Sequence, residues 1–306
     1  MFMGDSKLYE DIFEAVRQLE PSNPLPLCKD RGGILQRHMR AQLLGLGDGT
    51  YAAIPVGPNF LFYRGEKERY PSSKPNYYRI PVGPKRIVSD IKKCDFELFL
   101  LETDEIQRRL REHEKVDLLA LAQHYEFPTK MLDITSDIVV AAYFATHEMD
   151  PVTRTMIPVK EGVGRLFYFH GIYEQGENAK LRVFGDQFFC RPINQCGFGY
   201  VMEETEDFQK TSSYVEFNQK YEMNQLLGNV INGAELIYPQ EQIVVVAETI
   251  RNADAVTSHG IRRYAEQSGL QEEELCEIVR KEGLYIVDAP LFHAATLKPW
   301  ANAIMY

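Results

Sequence analysis

The run FLFYRG, Phe60 to Gly65, ends an apolar stretch on an arginine followed by a glycine. An arginine at the end of a buried strand has two readings. It is a solvated strand end, or it is an anion site. In the second reading the planar guanidinium makes charge-assisted hydrogen bonds to a phosphate, and the glycine leaves room for the ligand. A second cluster follows. Lys74–Lys93, KPNYYRIPVGPKRIVSDIKK, holds six basic residues against one aspartate, with Tyr77 and Tyr78 between them. Positive charge beside stacking rings suits nucleic acid; a solvated turn and helix start is the plain alternative. His124 with Asp133 could serve a nuclease. Otherwise His124 is a satisfied core histidine, and Asp133 caps a turn or pairs with Lys130. The five cysteines, Cys28, Cys94, Cys190, Cys196 and Cys276, are scattered without metal-ligand spacing, so no metal is expected.

These residues need elements to hold them. The chain of 306 residues is 44% hydrophobic and 25% charged, which is ordinary for a globular protein with a sizeable core. A net charge of −10 disfavours coating nucleic acid along the whole surface and leaves room for a local basic groove. The odd number of dispersed cysteines suits a reducing cytoplasm. The N-terminus has no apolar signal core, and no run approaches the roughly 18 apolar residues of a membrane span. The expectation is a soluble cytoplasmic protein.

Apolar spacing predicts helices over Ser6–Leu19, Lys85–Val116 and Asp117–Tyr125, with a shorter one over Ile34–Leu44. The charge of Lys85–Val116 reads as a solvated helix face. Asp117 and Asp137 sit where caps belong, the latter before the apolar helix DIVVAAYFATHE. FLFYRG, KMLDITS, GRLFYFHGI and KLRVFGDQFFC read as strands, and AELIYPQEQIVVVAE as two short strands around Pro239. The polar stretch Glu203–Gly233 reads as a long mobile loop with a helical part, a candidate lid. Helices follow at Ser258–Ser268 and Glu272–Glu282, and GLYIVDAPLF is a last strand. The irregular alternation of helices and strands indicates an α+β fold.

LALAQHYEFPTKMLDITSDIVVAAYFA resembles the FRG domain family, named for its Phe/Tyr-Arg-Gly motif. That family's HYGxPTRLLDWT stretch, followed by a helix ending in YFA, is matched by His124-Tyr125, Pro128-Thr129, Leu132-Asp133, Thr135 and Tyr143-Phe144-Ala145. RPINQCGFGY resembles the family's later stretch, with Gln195, Gly197 and Phe198, and Arg79 sits where a second arginine tends to occur. The departures are Glu126 for glycine, Lys130 for arginine and Ile134 for tryptophan.

A second resemblance carries chemistry. ADP-ribosyltransferase toxins of the Arg–Ser–Glu type combine a strand ending in YRG, a Ser-Thr-Ser strand followed by a VAxxFA helix, and a glutamate shortly before an apolar pair and a proline. FLFYRG, ITSDIVVAAYFA and AELIYPQEQIVVV are similar to these, in the same order. The resemblance implies NAD as cosubstrate and a split mixed sheet with helical additions at both ends. The implied divisions are 1–50 as a helical extension, 51–250 as the catalytic core and 251–306 as a C-terminal helical segment. It implies Glu235 as the catalytic carboxylate beside the ribose and Arg64 on the phosphates. Gly65 would lie against the nicotinamide amide, and Thr135 and Ser136 would be orienting hydroxyls, with Arg79 and His124 also at the cofactor. Toxins that modify arginine usually carry a glutamate or glutamine two positions before the catalytic glutamate; here that position is Gly233. The acceptor expected is therefore nucleic acid, RNA ahead of DNA, held by Tyr77, Tyr78, Lys85 and Arg86. By the same resemblance the setting is a bacterial toxin or anti-phage effector with a neutralising antitoxin, with or without a chaperone. The alternatives are a protein-modifying transferase, an NAD glycohydrolase and a non-catalytic FRG module that senses a nucleotide or partner.

Overall fold

Side chains alternate across a strand, so the two faces of Leu61–Glu66 (β4) meet different surroundings. Tyr63 and Gly65 share one face; Phe62, Arg64 and Glu66 share the other. A computed structural model describes residues 7–20, 41–45, 51–55, 61–113, 116–170, 180–183, 190–239 and 241–292. In it β4 lies inside a seven-stranded sheet. The other strands are β1 (Leu8–Tyr9), β5 (Met131–Thr135), β8 (Val163–His170), β9 (Leu181–Val183), β10 (Gly197–Val201) and β11 (Ser213–Asn218). The order is β1-β11-β8-β4-β5-β10-β9. β1 runs parallel to β11, while β11, β8 and β4 pair antiparallel in turn, so the sheet is mixed. With its many helices the chain is α+β, as its element order indicates.

The chain divides into two compact units, each built from three sequence segments. The first comprises Met1–Leu43, Ala53–Lys74 and Asp133–Pro239 and holds the sheet. Its central helix, α5 (Ile138–Thr146), starts on Asp137, whose carboxylate accepts from the Val139 amide at 2.8 Å. α5 is apolar apart from Thr146, and every residue of it but Phe144 is buried. It presses on β4 at Gly65, where a Cβ would lie 1.9 Å from the Ala141 carbonyl oxygen and 2.6 Å from the Ala145 nitrogen. Tyr63, Leu166 and Phe217 from the sheet complete this core. So do Ile12 and Val16 of α1 (Ile12–Leu19), and Leu227 and Ile231 of α8 (Tyr221–Ile231). On the opposite face Phe62 meets Phe169 and Phe198, at centroid distances of 5.6 and 4.9 Å. Short helices α6 (Cys190–Asn194), α7 (Phe208–Thr211) and α9 (Gly233–Leu236) link the strands. β6 (His147–Met149) pairs with β7 (Met156–Pro158), and β2 (Ala41–Gly45) with β3 (Tyr51–Pro55).

The second unit comprises Leu44–Ala52, Pro75–Leu132 and Gln240–Tyr306 and is mainly helical. A 3-10 turn (Asn76–Arg79) precedes α2 (Pro84–Leu101), α3 (Asp104–Arg111) and α4 (Leu118–His124). Later come α10 (Gln242–Asn252), β12 (Ala255–Thr257), α11 (Ser258–Ser268), α12 (Glu272–Lys281) and β13 (Tyr285–Val287). Asp117 caps α4 by accepting from the Ala120 amide at 3.0 Å.

Four local expectations are corrected. Lys85–Val116 is two helices, and α2 is no solvated face: it buries Ile91, Phe96 and Leu100 together with Asp90, Asp95 and Glu97. Each buried acid has a partner, namely Tyr77 and Lys93 for Asp90, Thr257 for Asp95 and Arg263 for Glu97. Burial still pushes the Asp95 carboxyl up to about 6, against the hydrogen bonds from Thr257. The segment around Pro239 is helical, not two strands. Ile243, Val246, Ala247 and Ile250 bury at the 3,4 spacing of a helix face, which overrides the strand preference of successive valines. The stretch 203–233 has its helical part in α8, but it is no loop: β11 lies within it and Phe217 is fully buried. Residues 41–44, expected at the end of a helix, belong to β2; 34–40 lie outside the described residues.

Two outcomes follow from the backbone. Gly65→Ala should destabilise the first unit by about 3 kcal/mol or more, read by denaturant unfolding, because the added methyl meets helix backbone that cannot yield. Glu126 holds a left-handed φ of 66°. Its carboxylate pairs with Arg251 at 2.8 Å. Glu126→Gly should be more stable than Glu126→Ala by about 1 kcal/mol, since both lose the ion pair and only alanine retains the strain.

Candidate active site

Arg64 leaves β4 on the face away from α5. Its side chain is 22% exposed. Nη1 donates to the Asp133 carbonyl at 2.7 Å, and Nε makes a long contact of 3.4 Å to Glu66 Oε1. Glu66, two residues on along the same face, is 4% exposed. Its Oε1 also accepts from Ser73 Oγ at 2.6 Å, while its Oε2 has no partner among the described residues.

Beside this pair runs a row of charge. Glu66 registers opposite Arg165 on β8, and Arg165 opposite Glu216 on β11. Arg165 Nε reaches Glu216 Oε1 at 3.0 Å, and Arg69 takes the same carboxylate with both Nε and Nη2, at 3.0 and 2.6 Å. Three arginines therefore face two carboxylates: Arg165, Glu66 and Glu216 are buried, Arg64 is partly exposed and Arg69 about half-exposed. Burial alone raises the Glu216 carboxyl; the hydrogen bonds from Arg69 and Arg165 outweigh it and hold the group below its ordinary 4.5.

The second expected element is the neighbouring strand. Tyr63 registers opposite Thr135. Thr135 is buried; its hydroxyl donates to the Gln195 carbonyl at 2.7 Å and accepts from the Asp137 amide at 3.0 Å. The Ser136 amide donates to the Cys196 carbonyl at 3.3 Å. Gln195 and Asn194 in turn grip the end of α9: Gln195 Nε2 donates to the Ile237 carbonyl at 2.9 Å, and Asn194 Nδ2 to that of Leu236 at 2.5 Å. Arg191 stacks on the Tyr238 ring at 3.8 Å. A continuous set of hydrogen bonds thus joins the strand pair of Arg64 and Thr135 to the turn that carries Glu235. Glu235 itself is exposed, and it accepts from Asn232 Nδ2 at 2.5 Å.

Gly65 differs from expectation. Its missing side chain is taken up by the contact with α5, so the space it leaves serves helix packing rather than a ligand. Gly233 is equally constrained, since a Cβ there would lie 2.2 Å from the Tyr143 ring.

The remaining expected residues lie in the second unit. Arg79 and Lys85 are exposed, and His124 is buried at the end of α4. Arg86 donates twice to the Ile80 carbonyl, at 3.2 and 2.6 Å, and sits 4.8 Å over the Tyr77 ring. Tyr77 donates to Asp90 at 2.9 Å and packs edge-on to Tyr78. Lys92 donates to the carbonyls of Arg251 and Ala253, and Lys93 pairs with Asp90. Much of the basic stretch is therefore committed to its own unit. Glu66, Ser73, Arg165 and Glu216 were not expected. The signal available for Glu66 was its position two residues after Arg64, which places both on one face.

Residues 59–154 match the family model of the FRG domain. The chain carries an FRG domain. No curated protein and no solved structure matches the chain significantly. Within the FRG segment the motif residues divide between tasks. Thr129 accepts from the Met131 amide at 3.2 Å, and Tyr125 donates to Glu241 at 3.0 Å, both inside the second unit. Arg64 and Thr135 build the site of the first. Among the described residues no helix is long and apolar enough to cross a membrane.

The charge layer sets an acid limit. The lowered Glu216 carboxyl contributes stability above about pH 4.5 that is lost as pH falls through its folded value. His147, which burial lowers to about 4, acts with the same sign below pH 6.5. Glu216→Gln leaves Arg165 buried beside a neutral group. It should cost about 3–5 kcal/mol at pH 7 and flatten the fall in stability below pH 4.5 relative to wild type. Urea unfolding at pH 7, 5 and 3.5 reads both effects.

Proposed function

We propose that the chain is an NAD-dependent ADP-ribosyltransferase in which Arg64 binds the diphosphate and Glu235 is the carboxylate beside the nicotinamide ribose. One observation carries this reading. The turn of Glu235 is tied through Gln195 and Thr135 to the strand pair that presents Arg64. Three segments far apart in sequence, each similar to one element of such enzymes, are thereby linked. Glu235 sits on a short helix rather than the expected strand, but its exposed carboxylate is available to a ligand.

In the reaction the bond between ribose C1′ and the nicotinamide nitrogen breaks, and its electron pair leaves with nicotinamide. Positive charge develops on the ribose, and a carboxylate there stabilises it while the acceptor's lone pair forms the new bond. The acceptor's proton passes to solvent or to the carboxylate. Arg64, fixed by the Asp133 carbonyl, would hold the diphosphate with charge-assisted hydrogen bonds.

Gly233 bears on the acceptor. Tyr143 leaves no volume for a side chain two positions before Glu235, which supports an acceptor other than an arginine side chain. Nucleic acid, with RNA ahead of DNA, fits that exclusion. An enzyme of this kind would harm the cell that makes it, which is the ground for a toxin or anti-phage effector held by an antitoxin.

The test uses NAD labelled on the adenylate, offered with total RNA, single-stranded DNA, duplex DNA and cell protein, while free nicotinamide is followed. Label on one acceptor class, reduced about 100-fold or more by Arg64→Ala and by Glu235→Ala, is the expected result. Nicotinamide release without labelled acceptor would make the protein an NAD glycohydrolase. Neither signal would overturn the enzymatic reading in favour of a non-catalytic FRG module.

A further inference from the structure

The Arg64 site contains a carboxylate that the proposed chemistry does not use. Glu66 is buried, and a buried carboxylate is expensive unless its lone pairs are filled. Glu216 shows the filled state in the same layer, taking two donors from Arg69 and one from Arg165. Glu66 differs. Ser73 Oγ holds its Oε1 at 2.6 Å, Arg64 reaches that same oxygen only with Nε at 3.4 Å, and Oε2 has no partner among the described residues. Were Glu66 simply the counter-ion of Arg64, the pair would close to a two-pronged contact of the kind Arg69 makes with Glu216. Instead Arg64 gives Nη1 to the Asp133 carbonyl.

We propose that Ser73, Glu66 and Arg64 form a positioning relay for an anionic ligand, an inference that rests on the reading of Arg64 as the diphosphate-binding residue of an NAD-dependent enzyme. Ser73 fixes the Glu66 carboxylate. Glu66 steadies the Nε edge of the guanidinium from inside the protein. Nη1 is held on the Asp133 carbonyl, and Nη2 is left without a partner among the described residues, on a partly exposed side chain. Glu66 is a positioning residue: it acts through Arg64 and touches no reacting atom. Ser73 is itself anchored, since its amide donates to Asp207 Oδ1 at 3.0 Å and so ties the relay to the N-terminal cap of α7.

The relay makes a prediction opposite in sign to simple charge. Removing a negative charge beside Arg64 should by itself tighten anion binding. If Glu66 orients Arg64, Glu66→Gln should instead weaken it. The experiment is calorimetric titration of the full chain with inorganic pyrophosphate and, separately, with NAD, for wild type, Glu66→Gln, Glu66→Asp and Ser73→Ala. Thermal unfolding confirms that each variant is folded. About tenfold weaker binding of both ligands is expected for Glu66→Gln, and a severalfold loss for Ser73→Ala, which changes no charge. In nicotinamide release, KM for NAD should rise by the same factors while kcat at saturation stays within twofold. Pyrophosphate bound more tightly by Glu66→Gln would overturn the relay, and so would unchanged affinity in every folded variant. Should Glu66→Gln fail to fold, Glu66→Asp and Ser73→Ala decide alone, and unchanged binding by both overturns it. Wild-type protein that binds neither NAD nor pyrophosphate would bring down the NAD reading itself, a result distinct from NAD binding that the variants leave unmoved.

Discussion

The contact between α5 and β4 at Gly65 is the constraint on which the first unit depends. A helix normally rests on a sheet through side chains. Here the backbone of α5 rests on the backbone of β4, because a Cβ at Gly65 would overlap the Ala141 carbonyl. The same helix presses Tyr143 against Gly233. One apolar helix therefore fixes the strand of Arg64 on one side and the turn of Glu235 on another. Its start is fixed as well, since Asp137 caps it and Thr135 bonds the Asp137 amide. The candidate site takes its dimensions from a packing contact that involves none of its polar groups.

The other face of the sheet is governed by charge. Aromatic rings cover part of it, where Phe62 meets Phe169 and Phe198 and Phe169 meets Phe208. The rest is a layer in which arginines and glutamates sit opposite one another on β4, β8 and β11. Such a layer adds little net stability over apolar packing, but it tolerates no missing partner. The second unit follows the same rule on α2, where three buried acids each meet a donor. Both units carry their polar interior on elements that also supply the apolar core.

What the sequence discloses and what it hides divide along physical lines. Local signals held. Asp117 and Asp137 cap their helices, because a cap depends on a few adjacent residues. The apolar run of α5 marked a buried helix for the same reason. Signals that depend on distant partners did not survive. Glu216 made β11 look like part of a polar loop, and only Arg69 and Arg165, far off in the chain, hide its charge. The valines of α10 suggested a strand until burial at Ile243, Val246 and Ile250 set a helical period. At the candidate site, motif residues drew attention to Arg64 and Thr135, which lie on paired strands. Glu66 was not singled out, although its position two residues after Arg64 places both on one face of β4. Gly65 was noticed for the right property, the absence of a side chain, and assigned to the wrong neighbour.

The FRG segment has a further consequence. Its residues 59–154 are contiguous in sequence, yet 75–132 belong to one compact unit and the flanking parts to the other. Within the segment β4 has a single bridge to β5, whereas its long pairing partner, β8, begins at Val163. Excised at the limits of the match, the peptide would keep the motif residues from Tyr63 to Ala145 and lose most of the ladder that makes β4 a strand. Gene fusion or recombination that moved those residues alone would transplant a label without a foldable body. The folding unit around β4 is therefore larger than the stretch by which it is recognised, since its main ladder is with β8.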